Sequence, residues 1–231
     1  EAYVVCSDAG NGLSSAVARL DRQVADFAAM VRSDLKLAGG FNAVGLSQGG
    51  LVLRGYVERF NRPPIRTLVT VCAPHAGVAK CPAEQEICRL AVRWWPYTSP
   101  FAFSDYWKDV TDRDAYLSKS QWLADVNNER QTKNETYRSN MIALKRYVLV
   151  MALNDTIVIP ALSEHHSFWK WGQSYDEEPL RSSEGYIGDY IGLRTLDMAG
   201  KLFLHAFVGG HLQFSGDFWE KTILPYLGED I

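Results

Sequence analysis

Apolar positions recur along this chain in two rhythms. Val17, Leu20, Val24, Phe27, Val31 and Leu35 are spaced by three or four residues, which places them on one face of a helix. Ser14 or Ser15 is positioned to cap its start, and Gly39-Gly40 to end it. Elsewhere the apolar residues are contiguous. "AYVV" (2–5), "NAVGL" (42–46), "RTLVTVC" (66–72), "YVLVMAL" (147–153) and "LFLHAFV" (202–208) read as strands. The last two are unbroken apolar runs, as expected of strands covered on both faces. Leu51, Val52, Val57 and Phe60 mark a helix after the second strand, and "DFWEKTILPYL" marks one that closes the chain. Strands alternating with helices predict an α/β fold with a mostly parallel sheet and helices on both faces.

Between "RTLVTVC" and "YVLVMAL" the pattern breaks. Residues 75 to 145 are too many for a plain connection. They carry Trp94, Trp95, Tyr97, Phe101, Phe103, Tyr106, Trp107 and Trp122. Two compatible expectations follow: a helical subdomain with its own aromatic core, and a cap lining an apolar site. The whole chain, 1 to 231, reads as one domain carrying this insertion.

Composition narrows the function classes. The 231 residues are 47% hydrophobic and 22% charged, enough for a sizeable core. A net charge of −3 argues against a nucleic-acid partner, which calls for a basic patch. No apolar run is long enough to span a membrane. Four cysteines occur: Cys6, Cys72, Cys81 and Cys88. Cys81 and Cys88, in "KCPAEQEIC", are close enough to close a small disulfide loop, and without a partner C-x-x-C they do not suggest zinc. Cys6 and Cys72 stand at strand ends and read as buried thiols. "NET" at Asn134 and "NDT" at Asn154 are N-glycosylation sequons. With a disulfide they tilt the chain toward an oxidising secretory compartment.

Chemistry concentrates in "GLSQGG", residues 45 to 50. Gly45-x-Ser47-x-Gly49 lies between a strand and a helix, the setting of a nucleophile elbow. Its glycines are expected where a neighbouring Cβ would clash in a strained turn. The helix N-terminus favours negative charge developing at Ser47. An activated serine needs a base, and the base an acid that orients it. In a parallel sheet these groups gather at strand carboxyl ends. Asp155 follows "YVLVMAL", and His211 stands in "GGHLQ" after "LFLHAFV". His75, His165, His166 and His205 fit less well by chain order or by lying inside a strand, as do Asp125, Asp189 and Asp197 among the acids.

With these residues in place the chain resembles the palmitoyl-protein thioesterases of the lysosomal, glycosylated type. The stretches that carry the resemblance are "GLSQGG", "KCPAEQEIC", "DYWKD" (105–109), "LADVNNER" (123–130), "NETY" (134–137), "LNDTIV" (153–158) and "GGHLQFS" (209–215). The resemblance implies an α/β-hydrolase fold and hydrolysis of long-chain acyl thioesters on S-acylated proteins or peptides. It implies Ser47 as nucleophile, Asp155 as acid, His211 as base and no metal or cofactor. It implies a Cys81–Cys88 disulfide, glycans on Asn134 and Asn154, and a lysosomal or secreted location. The Gln48 amide is expected in the oxyanion hole, and Trp107, Ile157 and Val158 are expected to line the acyl groove or, equally, to pack in the core. The family's H-G-x-G-D-type loop is not among these residues. The expectation is therefore a missing or separate N-terminal piece that supplies a second oxyanion amide and a strand beside residues 2 to 5. An oxygen-ester lipase and a non-catalytic lipid-binding or assembly protein are the alternative readings.

Overall fold

The computed structural model describes residues 3–6, 18–82 and 86–228. Four parallel strands form the sheet in chain order: β1 (Phe41–Leu46), β2 (Ile65–Val71), β3 (Arg146–Ala152) and, outermost, Leu202–Phe207. Their carboxyl ends are in step, with Leu46 opposite Val71, Val71 opposite Val150 and Ala152 opposite Phe207. Alternate residues feed opposite faces, as a pleated strand requires. Leu68, Tyr147 and Leu149 enter the larger core. Val69, Val71, Val148 and Val150 pack on the other side with Ile223 of the closing helix.

The first helix runs Leu20–Ser33 and buries Leu20, Val24, Ala28 and Val31, the predicted face. Val17, Ser14 and Ser15 fall outside the described residues. The Leu20 N–H is instead met by the Asp105 carboxylate at 2.7 Å, from the distant insertion. Leu35 departs from expectation: it lies beyond the helix and is 87% exposed. Gly40 takes φ +98°, where a Cβ would meet the Arg66 side chain, so this turn does require glycine. "AYVV" also departs from expectation. Tyr3–Val5 pair with no strand, and Val4 is 74% exposed. Without a ladder to satisfy the backbone, an apolar tripeptide has no reason to stay extended in a sheet.

The insertion is helical: Glu86–Trp94, Arg113–Lys119, Leu123–Val126 and Glu135–Ile142, with a 3-10 turn at Ala102–Tyr106. It has no separate aromatic core. Trp122, Tyr97 and Trp107 pack into the same cluster as the sheet and the first helix, which corrects the subdomain expectation. A second excursion, between β3 and the last strand, had no counterpart in the sequence pattern. It contains a two-stranded antiparallel ribbon, β4 (Phe168–Trp169) with β5 (Glu177–Glu178), and helices Glu184–Ile187 and Leu193–Met198. It leans on the insertion through Arg113 and Glu184 (Nη1 to Oε1, 2.9 Å) and through the Tyr116 and Trp171 rings at 5.5 Å. The sheet strand Leu202–Phe207 is thus sixth in the chain and is called β6 below. A helical run, Gly216–Phe218, Trp219–Ile223 (π-helical) and Leu224–Leu227, ends the described fold.

Candidate active site

Ser47 sits between Leu46 of β1 and a helix that starts at Gln48 and runs to Arg59. Its backbone is at φ 50°, ψ −126°, a region that non-glycine residues avoid and that functional sites tend to retain. Its N–H bonds the Val71 carbonyl at 2.8 Å, so the turn is pinned to β2. A Cβ on Gly45 would lie 2.5 Å from the Gly50 Cα, and one on Gly50 would lie 2.6 Å from the Ala73 Cβ. Gly49 departs from expectation: nothing lies within 4 Å of its missing Cβ. The close approaches are at Gly45 and Gly50, not at both glycines of the five-residue pattern.

His211 follows β6 on a turn shaped by Gly209, whose missing Cβ would strike the Gln213 carbonyl at 2.7 Å, and by Leu212 at φ 60°. His211 Nε2 is 2.9 Å from Ser47 Oγ, and its Nδ1 is 2.6 Å from Asp155 Oδ2. The other Asp155 oxygen accepts the N–H groups of Ile157 (2.7 Å) and Val158 (2.9 Å). The Asp155 side chain has no exposed surface, and that of His211 is 17% exposed. Burial alone would raise the Asp155 carboxyl. Hydrogen bonds outweigh it, that from His211 foremost and those from the Ile157 and Val158 amides with it, and hold the carboxyl below its usual range.

The other histidines are engaged elsewhere. His75 Nε2 is 2.8 Å from Thr70 Oγ1, and its ring stacks on His166 at 4.5 Å. His166 Nε2 meets Tyr147 Oη at 2.9 Å. His165 faces the His205 carbonyl at 2.9 Å, and His205 Nε2 meets Tyr226 Oη at 2.7 Å. Asp125, Asp189 and Asp197 bond Arg59, Arg138 and Arg181.

The Gln48 side chain is held by Gln23 at 3.0 Å and Tyr106 at 3.2 Å, tying the elbow to the first helix and to the insertion. Ile157 is 41% exposed beside Asp155, whereas Val158 is buried in the larger core. Trp107 is buried too and lines a cavity of about 360 Å³ with Val92, Trp94, Trp95 and Tyr97. Ser47, Asp155 and His211 do not line it. Cys81 and Cys88 are disulfide-bonded with Cα atoms 5.7 Å apart. Cys72 is a buried thiol as expected, but Cys6 is exposed because Tyr3–Cys6 join no sheet. Asn134 and Asn154 are both exposed.

Two site residues escaped the sequence reading. Cys72, just past β2, accepts the Leu212 N–H at 3.4 Å and so fixes the His211 turn. Glu164, 1% exposed, accepts the Ala152 N–H at 2.9 Å directly behind Asp155. An acid in the aperiodic "ALSEHH" gives no signal that would separate it from a solvated loop residue.

The chain is similar in sequence to known proteins. The chain is 34% identical to palmitoyl-protein thioesterase 3 of Dictyostelium discoideum, over 97% of this chain and 82% of that protein. It is 33% identical to palmitoyl-protein thioesterase 1 of Caenorhabditis elegans, over 79% of this chain and 64% of that protein. A lysosomal thioesterase PPT2 homolog of Drosophila melanogaster is 28% identical over 81% and 68%. Among solved structures, a Paleococcus ferrophilus monoacylglycerol lipase aligns with a TM-score of 0.43 and 14% identity, over 92% of this chain and 76% of that one. The family model for palmitoyl protein thioesterase matches residues 1–211, from the first residue through the histidine beside Ser47. The chain belongs to the palmitoyl protein thioesterase family.

Proposed function

We propose that this chain hydrolyses long-chain fatty acyl thioesters, releasing S-linked palmitoyl groups from proteins or peptides, with Ser47, His211 and Asp155 as its catalytic residues. Family membership supports the reaction class, fatty acyl thioester hydrolysis. The observation that carries the residue roles is the unbroken hydrogen-bonded line from Ser47 Oγ through the His211 ring to the Asp155 carboxylate.

The steps follow from that line. His211 Nε2 takes the Ser47 proton as Oγ attacks the thioester carbonyl carbon, and the carbonyl electrons move to oxygen. Asp155 holds the ring in the tautomer with its proton on Nδ1 and stabilises the imidazolium. The Gln48 N–H, first in its helix, faces the developing oxyanion together with the positive end of the helix dipole. Collapse breaks the carbon–sulfur bond, and His211 returns its proton to the departing cysteine sulfur. Water, deprotonated by His211, then cleaves the acyl-serine and frees the fatty acid. Ile157, exposed beside Asp155, is the groove residue we favour, whereas Trp107 and Val158 pack in the core. Names of relatives that include "lysosomal" support the same location for this chain.

The test is turnover of matched palmitoyl thioester and palmitoyl oxygen ester by the wild type and by Ser47→Ala. Thioester turnover that Ser47→Ala abolishes, without unfolding, is the expected result. Faster turnover of the oxygen ester assigns the chain to the lipases. No turnover by the wild type, with fatty acid still bound, makes it a binding protein. Shortening the acyl chain should cost about fourfold per methylene, from about 0.8 kcal/mol of burial each.

A further inference from the structure

The triad leaves one buried acid unaccounted for. Glu164 sits on the Ala161–His165 turn, locked by Ser163, whose Oγ donates to the Gly77 carbonyl at 2.6 Å and accepts the Ala76 N–H at 3.1 Å. From there its carboxyl reaches behind the triad. Ligating atoms of Glu164, Asp155, His211 and Cys72 all lie within 4.8 Å of one another. Glu164 Oε2 accepts the Ala152 N–H, while Oε1 is buried and meets no donor among the described residues. No cationic side chain pairs with Glu164. Two adjacent ionised carboxylates in such a place would repel, and one of them must hold a proton.

Which one is settled by the donors. Asp155 already accepts three N–H bonds, from His211, Ile157 and Val158. Glu164 accepts one. The charge therefore belongs on Asp155 and the proton on Glu164. Burial first, and then the hydrogen-bonding proximity of Asp155, push the Glu164 carboxyl up to about 9. Cys72, raised by burial to about 12, is a neutral thiol beside it. The groups facing Glu164 are thus Cys72 past β2, Asp155 past β3 and His211 past β6. On its own turn His165 and His166 are directed to the His205 carbonyl and to Tyr147.

We propose that Glu164 is a positioning residue for this site: its carboxylic acid donates an O–H hydrogen bond to the Asp155 carboxylate, keeping that carboxylate ionised and aimed at His211. The proposal rests on the triad assignment above. The fourth donor spreads the Asp155 charge, so the acid stays ionised to lower pH than three amide-type donors alone would allow. A single net charge in the pair also keeps the pull on His211 that of one carboxylate.

Glu164→Gln keeps a neutral donor of the same shape, and Glu164→Leu removes it. On a palmitoyl thioester, Glu164→Gln should keep kcat within about threefold of wild type, with the acid limb of kcat/KM unmoved. Glu164→Leu should lose at least about tenfold in kcat, the scale of a lost hydrogen bond to a charge, and its acid limb should move to higher pH. Infrared difference spectra of wild type minus Glu164→Gln at neutral pH should show a protonated carboxylic-acid carbonyl band. That band does not depend on turnover, so failure of the thioesterase reading and failure of this proposal are separable. Absence of the band, equal loss of kcat in both variants, or an unmoved acid limb in a folded Glu164→Leu protein would overturn the proposal. If Glu164→Leu does not fold, the band and the Glu164→Gln profile decide.

Discussion

Gly50 and Ala73 are packed so closely that a Cβ on Gly50 would lie 2.6 Å from the Ala73 methyl. Gly50 lies in the first turn of the elbow helix and Ala73 follows β2, so this contact seats the helix N-terminus against the sheet beneath Ser47. Gly50→Ala should therefore cost about 1–3 kcal/mol, the usual range for overpacking, and should lower kcat by displacing Ser47. Gly49→Ala, with open space around it, should leave both within measurement error. Paired denaturation curves and thioester kinetics check this, and an equally damaged Gly49→Ala would refute it.

Asp155→Asn tests the orientation of His211. The amide presents a donor or a weaker acceptor where Nδ1–H now finds a carboxylate at 2.6 Å. The wrong tautomer costs about 10⁴-fold in kcat in a serine protease triad. A fall of that order is expected here, with KM changed little. A loss under tenfold would remove Asp155 from the line.

Stability should fall as pH rises above about 6.5. Burial pushes Glu58 up to about 8 and Glu164 up to about 9. Unfolded glutamates ionise near 4.3, so between there and 8 the folded state holds protons that the unfolded state has released. For each such group stability declines with rising pH, by at most about 1.4 kcal/mol per unit. His75 and His166, which burial holds neutral, act in the opposite sense but only below about 6.5, where the unfolded histidines gain protons. Urea denaturation at pH 6.5 and 8.0 should show the decline, and Glu58→Gln should flatten it. Stability that rises over this interval would contradict the assignment.

The Cys81–Cys88 bridge closes a short loop at the start of the Glu86–Trp94 helix. That helix turns Ile87, Leu90 and Trp94 outward and buries only Cys88 and Ala91. With so little packing of its own, it depends on the bridge. Replacing both cysteines by alanine should destabilise the protein by about 2 kcal/mol on loop-entropy grounds. Protease sensitivity should rise first between residues 81 and 95. Cleavage confined to the sheet would count against this view.

The sheet and the meeting of Ser47, His211 and Asp155 were legible because β1, β2, β3 and β6 are continuous apolar runs, and because each of these three residues follows one of them closely. Such signals are local. What escaped depends on distant partners. Asp105 caps a helix some eighty residues earlier, at a position where the local sequence offered serines. Tyr3–Val5 look like a strand but pair with none among the described residues. Glu164 reaches its place behind Asp155 only through Ser163 and β3. The β4–β5 ribbon is two residues per strand, too short to show a period.

Both excursions over the sheet start and finish at strand ends, one between β2 and β3 and the other between β3 and β6. The strand register beneath them is fixed by neighbouring ladders rather than by what the excursions contain. The placing of Ser47, Asp155 and His211 at the strand ends is therefore set by the sheet rather than by the length of the segments above it. The same arrangement makes these two segments, rather than the strands, the natural places to graft new sequence when the acyl preference is to be redesigned.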